Sequence, residues 1–491
     1  MKKIICLFVL LSVSGKVFPQ VGDSILLLTL NDVVEMARRQ SPSVLNARHS
    51  FRSSYWNYVY YKANFLPSLT FTSSPNFNHS INSITLPDGT VRYIPQNLLR
   101  TDASLSITQN IALTGGAFFI QTALQRTDIL NSKSFTYKST PVTIGYQQSL
   151  LGYNSLKWDR KLAPLQFETA KKTYIETLEL VAANAVVKFF NLAYAQTNME
   201  IAVTNYANAD TLYSFAKGRY EIGTITENEM LQLEVNRLSE ESNQLNTRLE
   251  VDERTEDLRS YLGIKEPVRI TVQIDNNIPL NRVDIEKTLL LAVENSPDIL
   301  NMEYQRKQSE SNLAYARGNA GLKADLFMQL GLAQTGENFE SAYQNPLNQQ
   351  YVEIGISFPI LDWGRSKGKI QVAKSNRDIV YAQTEQDRSN FEQNVTKVVN
   401  QFNLLSKRLE VAVKTDLSAE RRNEIARKLY MLGKSNILDL NASIADKDAA
   451  RRNYISTLSS YWGLYYTLRS LTLFDFEKNI PITEDYQLLI K

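Results

Sequence analysis

The stretch LQLEVNRLSEESNQLNTRL, Leu231–Leu249, decides how the chain must fold. Its apolar positions run Leu231, Val235, Leu238, then a gap at Ser242, then Leu245 and Leu249, in alternating steps of four and three. That is the 3.5-residue period of a coiled-coil seam, narrower than the stripe of a helix packed on a globular core. Outward from it, the span Ser155–Leu262 holds one proline, Pro164, and only Gly218 and Gly223 punctuate it, with Gly263 just past its end. It reads as two very long helices folded back on each other at Gly223. At 1.5 Å of rise per residue, a helix from 155 to 218 is about 95 Å long. Helices of globular domains average about 11–12 residues, so a compact ball cannot hold this one. Something tubular or filamentous is being built.

Composition narrows the class. With 43% hydrophobic and 21% charged residues among 491, the chain is an ordinary folded one rather than a disordered one. A net charge of +3, with no Lys/Arg stripe interleaved with aromatics, gives no nucleic-acid partner. Met1-Lys2-Lys3 followed by the apolar run Ile4–Val13 reads as a secretory signal, expected at 1–20 and too short to span a bilayer. The single cysteine, Cys6, lies inside that run, so the mature chain has neither a disulfide nor a lipidation thiol. No run of eighteen apolar positions follows, and the expectation is an exported protein without a helical anchor. The two histidines, His49 and His79, show no metal-ligand spacing, and no nucleophile elbow or phosphate loop is present. Glu240-Glu241 and Asp252-Glu253 read as solvated faces of a long helix. We therefore expect no enzyme: no catalytic residue, no metal and no cofactor.

The chain repeats itself. After strand-like Ile25–Leu28, Thr29 and Asp32 form a capping box for a helix through Gln40. Ser41-Pro42 then supplies an N-cap and an N1 proline for a second helix to about Asn64. The same grammar returns at Asp284, with a helix to Asn295, Ser296-Pro297, and a helix to about Asn319. Setting Pro42 on Pro297, 255 residues apart, aligns Ala37 with Ala292, Leu45 with Leu300 and Asn46 with Asn301. Further along, Lys157 and Lys367, Tyr220 and Tyr430, and Gly223 and Gly433 are each 210 apart. An internal duplication is the reading, and the first copy carries 45 extra residues between its proline helix and its long helix.

Those regions look like β structure. In the second copy Ala324, Leu326, Met328, Leu330 and Leu332 alternate with smaller or polar residues, as do Val352, Ile354, Ile356 and Phe358 after a polar loop. Dyad alternation over about ten residues is the weak signature of a transmembrane hairpin. The first copy has room for four such strands: Leu69/Phe71, Leu105/Ile107/Ile111/Leu113, Phe118/Ile120/Thr122/Leu124 and Val142/Ile144/Tyr146. The alternative is a soluble β-lobe in the exterior loops. The expected layout is a first repeat at 21–280 (strands about 67–150, helical hairpin 155–262) and a second at 281–473 (strands about 322–360, hairpin 365–471). A polar tail, 474–491, is expected to be flexible or laid along the outside, and Pro164 to bend its helix. Tyr93, Phe71, Phe77, Tyr137 and Tyr146 suit interfacial girdles, whereas Tyr55, Trp56, Tyr58, Tyr60 and Tyr61 suit packing between helices.

Strands crossing a bilayer must close into a barrel, and six are fewer than the eight of the smallest single-chain barrels. The chain must therefore oligomerise. Here the sequence resembles the TolC-type outer-membrane efflux proteins over essentially its whole mature length. The resemblance rests on the repeated Ser-Pro helix, the strand exit Phe358-Pro359-Ile360-Leu361-Asp362-Trp363-Gly364-Arg365, and the hairpin tips Arg219-Tyr220-Glu221-Ile222-Gly223 and Lys428-Leu429-Tyr430-Met431-Leu432-Gly433. It implies an α+β membrane protein: a trimeric β-barrel in the outer membrane of a Gram-negative bacterium, continuous with a long α-helical coiled-coil barrel reaching into the periplasm. The implied partners are two further copies of the chain, outer-membrane lipid, a periplasmic adaptor (membrane fusion) protein and an inner-membrane transporter of RND or ABC type.

The resemblance also assigns sites. The tips, Arg219, Tyr220, Gly223, Tyr430 and Gly433, would dock the adaptor, whose helices could approach where glycine has no side chain. The plainer alternative is that these glycines only form turns. The periplasmic gate would use a Tyr430–Glu229 link and an acidic ring at Asp439, for which the alternative is a solvated first-turn acid. Two departures matter: the family's second acidic position falls on Ala442 and its gate arginine on Ser435. With fewer links the gate should open more readily. The competing function is a non-transporting coiled-coil envelope or surface protein, which does not explain amphipathic strands at the same place in both repeats.

Overall fold

The computed structural model describes residues 25–275, 282–432, 434–435 and 437–490. The leader expected at 1–20 lies outside them. In chain order the elements are β1 (Ile25–Thr29), α1 (Leu30–Gln40), α2 (Pro42–Ala63), β2 (Ser68–Thr85), β3 (Val91–Ile111), β4 (Gly116–Ile129), β5 (Ser134–Ser149), α3 (Ser155–Glu221) and α4 (Glu227–Leu262). There follow β6 (Arg269–Gln273), α5 (Ile285–Asn295), α6 (Pro297–Ala320), β7 (Lys323–Gly336), β8 (Leu347–Ser357), α7 (Arg365–Met431), α8 (Ile437–Thr472), β9 (Phe474–Asp475), β10 (Ile480–Pro481) and α9 (Tyr486–Ile490). Of the described residues, 61% are in helices and 24% in strands.

Local chemistry sets the short helices. The Thr29 hydroxyl accepts from the Asp32 amide at 3.3 Å while the Asp32 carboxylate accepts from the Thr29 amide at 2.9 Å, a reciprocal capping box. Asp284 caps α5, and Ser296 caps α6 ahead of Pro297. At the strand exit the Asp362 carboxylate accepts from the Gly364 and Ser366 amides at 3.0 and 2.9 Å, capping α7. α3 and α7 hold 67 residues each, and Pro164 lies inside α3.

The chain divides into two compact units. One comprises the described parts of 1–44, 180–281 and 403–466. In it β1 and β6 pair in parallel from Ile25↔Arg269 to Thr29↔Gln273. The Gln196 amide group donates to the Ile270 carbonyl at 2.9 Å and accepts from the Val272 amide, tying this ribbon to α3. Along α3 the buried alanines Ala195, Ala202, Ala209 and Ala216 recur every seven residues, a heptad of small side chains that admits close neighbours. Asn205 and Asn198 of α3 bond Asp448 and Arg452 of α8, and Arg451 of α8 pairs with Asp416 of α7 at 3.0 Å.

The other unit comprises 45–179, 282–402 and 467–491. Six strands form one antiparallel sheet in the order β2-β3-β4-β5-β7-β8. Tyr58 of α2 stacks on Phe167 of α3 at 4.5 Å, with Tyr55 at 6.2 Å, whereas Trp56 and Tyr60 stay exposed. The polar tail is more structured than its composition suggests: Asp475 is buried against Arg469, Tyr486 packs on Phe51 at 5.4 Å, and Arg52 donates to the Leu489 carbonyl. Arg469 also holds Glu179 in a two-pronged contact at 2.7 and 3.3 Å, so three charges are buried together.

One stretch of 18 residues in α3 is apolar enough, by length and composition, to cross a membrane. Most of it is buried inside the protein, as in the core helix of a folded domain.

Candidate functional site: an apolar sheet face and two helical tips

Residues opposite one another in an antiparallel ladder share a face, so the register sorts the six strands into two faces. One rung runs Leu69–Ile107–Ile120–Ile144–Leu330 across β2, β3, β4, β5 and β7. Adjacent rungs on that face carry Phe71 and Leu105, then Phe118, Tyr146, Met328 and Val352, then Leu326 and Ile354. All six strands contribute apolar side chains to this face, interrupted by Gln109, Thr122, Gln148 and Gln350, and most of the apolar ones are exposed. The opposite face of β2 reads Ser68, Thr70, Thr72, Ser74 and Asn76, against Thr108, Ser106, Ser104, Asp102 and Arg100 of β3. Gln125 joins this polar face through a 3.0 Å bond from Arg100. Among the described residues the outer edges of β2 and β8 have no strand partner.

The first tip closes α3 on α4. The Thr224 amide donates to the Arg219 carbonyl at 2.9 Å and the Gly223 amide to the Tyr220 carbonyl at 2.8 Å, with Gly223 at φ +75°. This is a Schellman ending, whose left-handed position favours glycine. A Cβ added at Gly223 would meet nothing within 4 Å. Arg219 and Tyr220 are exposed beside it, and Ile222 is 74% exposed. At the second tip the Lys434 amide donates to the Leu429 carbonyl at 2.9 Å, the counterpart of Thr224 to Arg219 displaced by 210 residues. Gly433 lies outside the described residues, as does the side chain of Tyr430.

The acid assigned to the gate has a second occupation that its assignment did not include. Glu229 is the N3 residue of α4: its carboxylate accepts from the Thr226 amide at 2.8 Å and hydroxyl at 3.0 Å, and its own amide donates back to that hydroxyl at 3.3 Å. The Thr226 amide first, and its hydroxyl second, hold this carboxyl below the usual glutamate value. The spacing Thr226-x-x-Glu229 was the available sequence signal. Asp439, 210 residues on, occupies the first turn of α8, exposed, and accepts from the Ser435 hydroxyl at 3.3 Å.

The coiled-coil seam also finds its place. Leu231, Val235, Leu238, Leu245 and Leu249 stand along α4 between 45% and 66% exposed.

Against known proteins, the family profile described as outer membrane efflux protein matches residues 33–264 and 289–472. No curated protein matches the chain in sequence. Among solved structures, the CmeC outer membrane channel of Campylobacter jejuni is 17% identical, with a TM-score of 0.65 over 94% of this chain and 88% of that one. The outer membrane protein VceC of Vibrio cholerae is 15% identical, with 0.61 over 90% and 96%. The open state of the MtrE outer membrane channel of Neisseria gonorrhoeae is 16% identical, with 0.59 over 90% and 88%. These likenesses are of fold, and the profile spans both halves of the sequence: the chain belongs to the outer membrane efflux protein family, as an outer-membrane channel component of an efflux system.

Proposed function

We propose that three copies of the chain close a β-barrel in the outer membrane of a Gram-negative bacterium and continue it as a coiled-coil helical barrel in the periplasm. The assembly is a passive, gated conduit to the exterior. Each chain supplies two repeats, 21–280 and 281–473, each a pair of short helices, a set of strands and a long helical hairpin.

The observation that supports this most is the slant of the apolar face. The centre of its apolar segment slips by about eight residues, always in the same direction along the sheet, over the five steps from β2 to β8. At 3.3 Å per residue and 4.8 Å between strands, a level apolar band then requires strands tilted by about 45°. That is the tilt of a closed membrane barrel. With six strands and two open edges, one chain cannot close it. Ile360 and Trp363, each 89% exposed where β8 leads into α7, are further surface that a lone chain leaves uncovered.

At the periplasmic end the tips at Arg219, Tyr220, Gly223, Tyr430 and Gly433 receive a periplasmic adaptor fed by an RND- or ABC-type inner-membrane transporter. Glu229 and Asp439 face the mouth as gate acids. A carboxylate has about four acceptor positions, so Glu229 can keep its cap to Thr226 and still accept from the Tyr430 hydroxyl. Such a bond is worth about 1.5–3 kcal/mol. With Ala442 and Ser435 where further links would stand, few such bonds hold the gate and it opens readily. The channel performs no chemistry; selection of cargo rests with the transporter.

Fractionation tests the reading. The protein should resist high-salt and alkaline washing of outer membranes and leave only with detergent, running as a trimer. Release by washing alone would favour the envelope stalk.

A further inference from the structure

We infer that the β2–β3 hairpin is a barrel-widening insert: it enters the lipid-facing wall as two complete strands, so that three copies close 18 strands rather than 12. The inference rests on the trimeric barrel proposed above and adds what the first repeat contributes to it. The second repeat supplies only β7 and β8, whereas the first supplies β2, β3, β4 and β5 in the same sheet. A first repeat with two strands would give the smaller barrel.

Three observations place the hairpin in the wall instead of in an exterior lobe. First, β3 is paired with β4 over the whole of Leu98–Ile111, so the hairpin is joined to the sheet by a full-length ladder. Second, its two faces differ as a membrane requires. Leu69, Phe71 and Phe77, opposite Ile107, Leu105 and Leu99, make one face, and Ser68, Thr70, Thr72, Ser74 and Asn76 the other. A lobe would need a second layer over that apolar face, yet Leu69, Phe71 and Phe77 are 65%, 68% and 63% exposed. Third, from Leu69 to Phe77 the strand rises about 26 Å along its axis, or about 19 Å across a bilayer at 45°. This covers most of the apolar band, about 25 Å tall, of known barrels.

The edges fit a second copy of the chain. In a six-strand antiparallel meander the first and last strands run in opposite directions, so β8 of one copy meets β2 of the next antiparallel. All of β8 and nearly all of β2 are exposed. Val352, Ile354 and Ile356 on β8 lie on the same face as Leu69 and Phe71, so the junction carries the band onward. Eighteen strands at that spacing and a tilt of about 45° give a barrel about 39 Å across between backbones, against about 26 Å for twelve. A barrel that wide is an open aqueous mouth.

The chain lacks cysteine after Cys6, so single cysteines can be placed without background. In intact outer membranes, cysteines at Leu69, Phe71, Ile354 or Ile356 and at Thr70, Thr72, Ser74 or Glu353 are challenged with a water-soluble maleimide. The expected result is at least tenfold slower labelling at 69 and 71 than at 70, 72 and 74, matching the contrast between 354/356 and 353. Cysteine pairs scanned between 70–74 and 349–353 should give disulfide-linked trimers. Uniform labelling along β2 while β8 still alternates would overturn the inference and leave the barrel reading standing. Uniform labelling of both strands would overturn both.

Discussion

Gly223 separates a turn that merely needs glycine from a surface that a partner touches. At φ +75° any L side chain costs about 1–2 kcal/mol, and that cost is the same for alanine as for tryptophan. Size adds nothing within the chain, because the space around an added Cβ is empty to 4 Å. The turn is also held by the Thr224 to Arg219 and Gly223 to Tyr220 bonds and by the Thr226–Glu229 box, so either substitution leaves α3 and α4 folded. Within the chain itself, Gly223→Ala and Gly223→Trp should therefore lose the same small amount of stability. Against a docked adaptor they differ, because an indole holds the partner helix several ångströms away. Retention of a fluorescent efflux dye can be measured in host cells that depend on this channel, at matched outer-membrane levels of trimer. Gly223→Trp should retain dye like the channel-free strain, and Gly223→Ala should export at half the normal rate or better. Equal export by the two variants would refute docking at Gly223 and leave it a turn residue.

Other outcomes follow from the same geometry. Arg469→Leu removes the guanidinium that bridges the buried Glu179 and Asp475 carboxylates and should cost about 3–5 kcal/mol. The check is thermal unfolding followed by helical circular dichroism, and the triple change Arg469→Leu, Glu179→Leu, Asp475→Leu should recover much of the loss. Burial, and after it the neighbouring Asp298, push Glu176 up to about 7. Its folded value exceeds its unfolded one, so ionisation imposes a penalty that is absent below about pH 4.5, grows up to about pH 7 and stays constant above. Allowing for solvent around this half-buried group, Glu176→Gln should stabilise the protein by roughly 1–2 kcal/mol at pH 8 and by nothing at pH 4, as read by denaturant melts at both pH values. Thr226→Ala removes the cap of α4 and should cost about 1 kcal/mol, seen as faster amide exchange confined to residues near 226–230.

Elements whose physics is local were readable along the chain. The Thr29–Asp32 box, Ser41-Pro42 and Ser296-Pro297 set helix ends within a residue or so, because each is a contact over three or four positions. The seam at Leu231–Leu249 was legible as a period, and its large side chains stand exposed along α4. Pairing over long separations was not. β1 and β6 are five residues each, too short for a pattern to name their partner 244 positions away. Nor does anything near Arg469 announce Glu179, 290 residues earlier. The buried alanines of α3 keep a seven-residue spacing but carry no large apolar side chain to mark it in the sequence. At the tips Glu229 was legible as an acid, and its cap to Thr226 only through a motif that also ends many ordinary helices.

The central claim is that one chain is a third of a membrane-sealed tube, and its direct test is the mass of the particle released from outer membranes by mild detergent. Native mass spectrometry should give three times the mass of the exported chain, whose full sequence amounts to 55.9 kDa. A stable single-chain species, with β2 and β8 unpaired and no trimer at any detergent concentration, would contradict it.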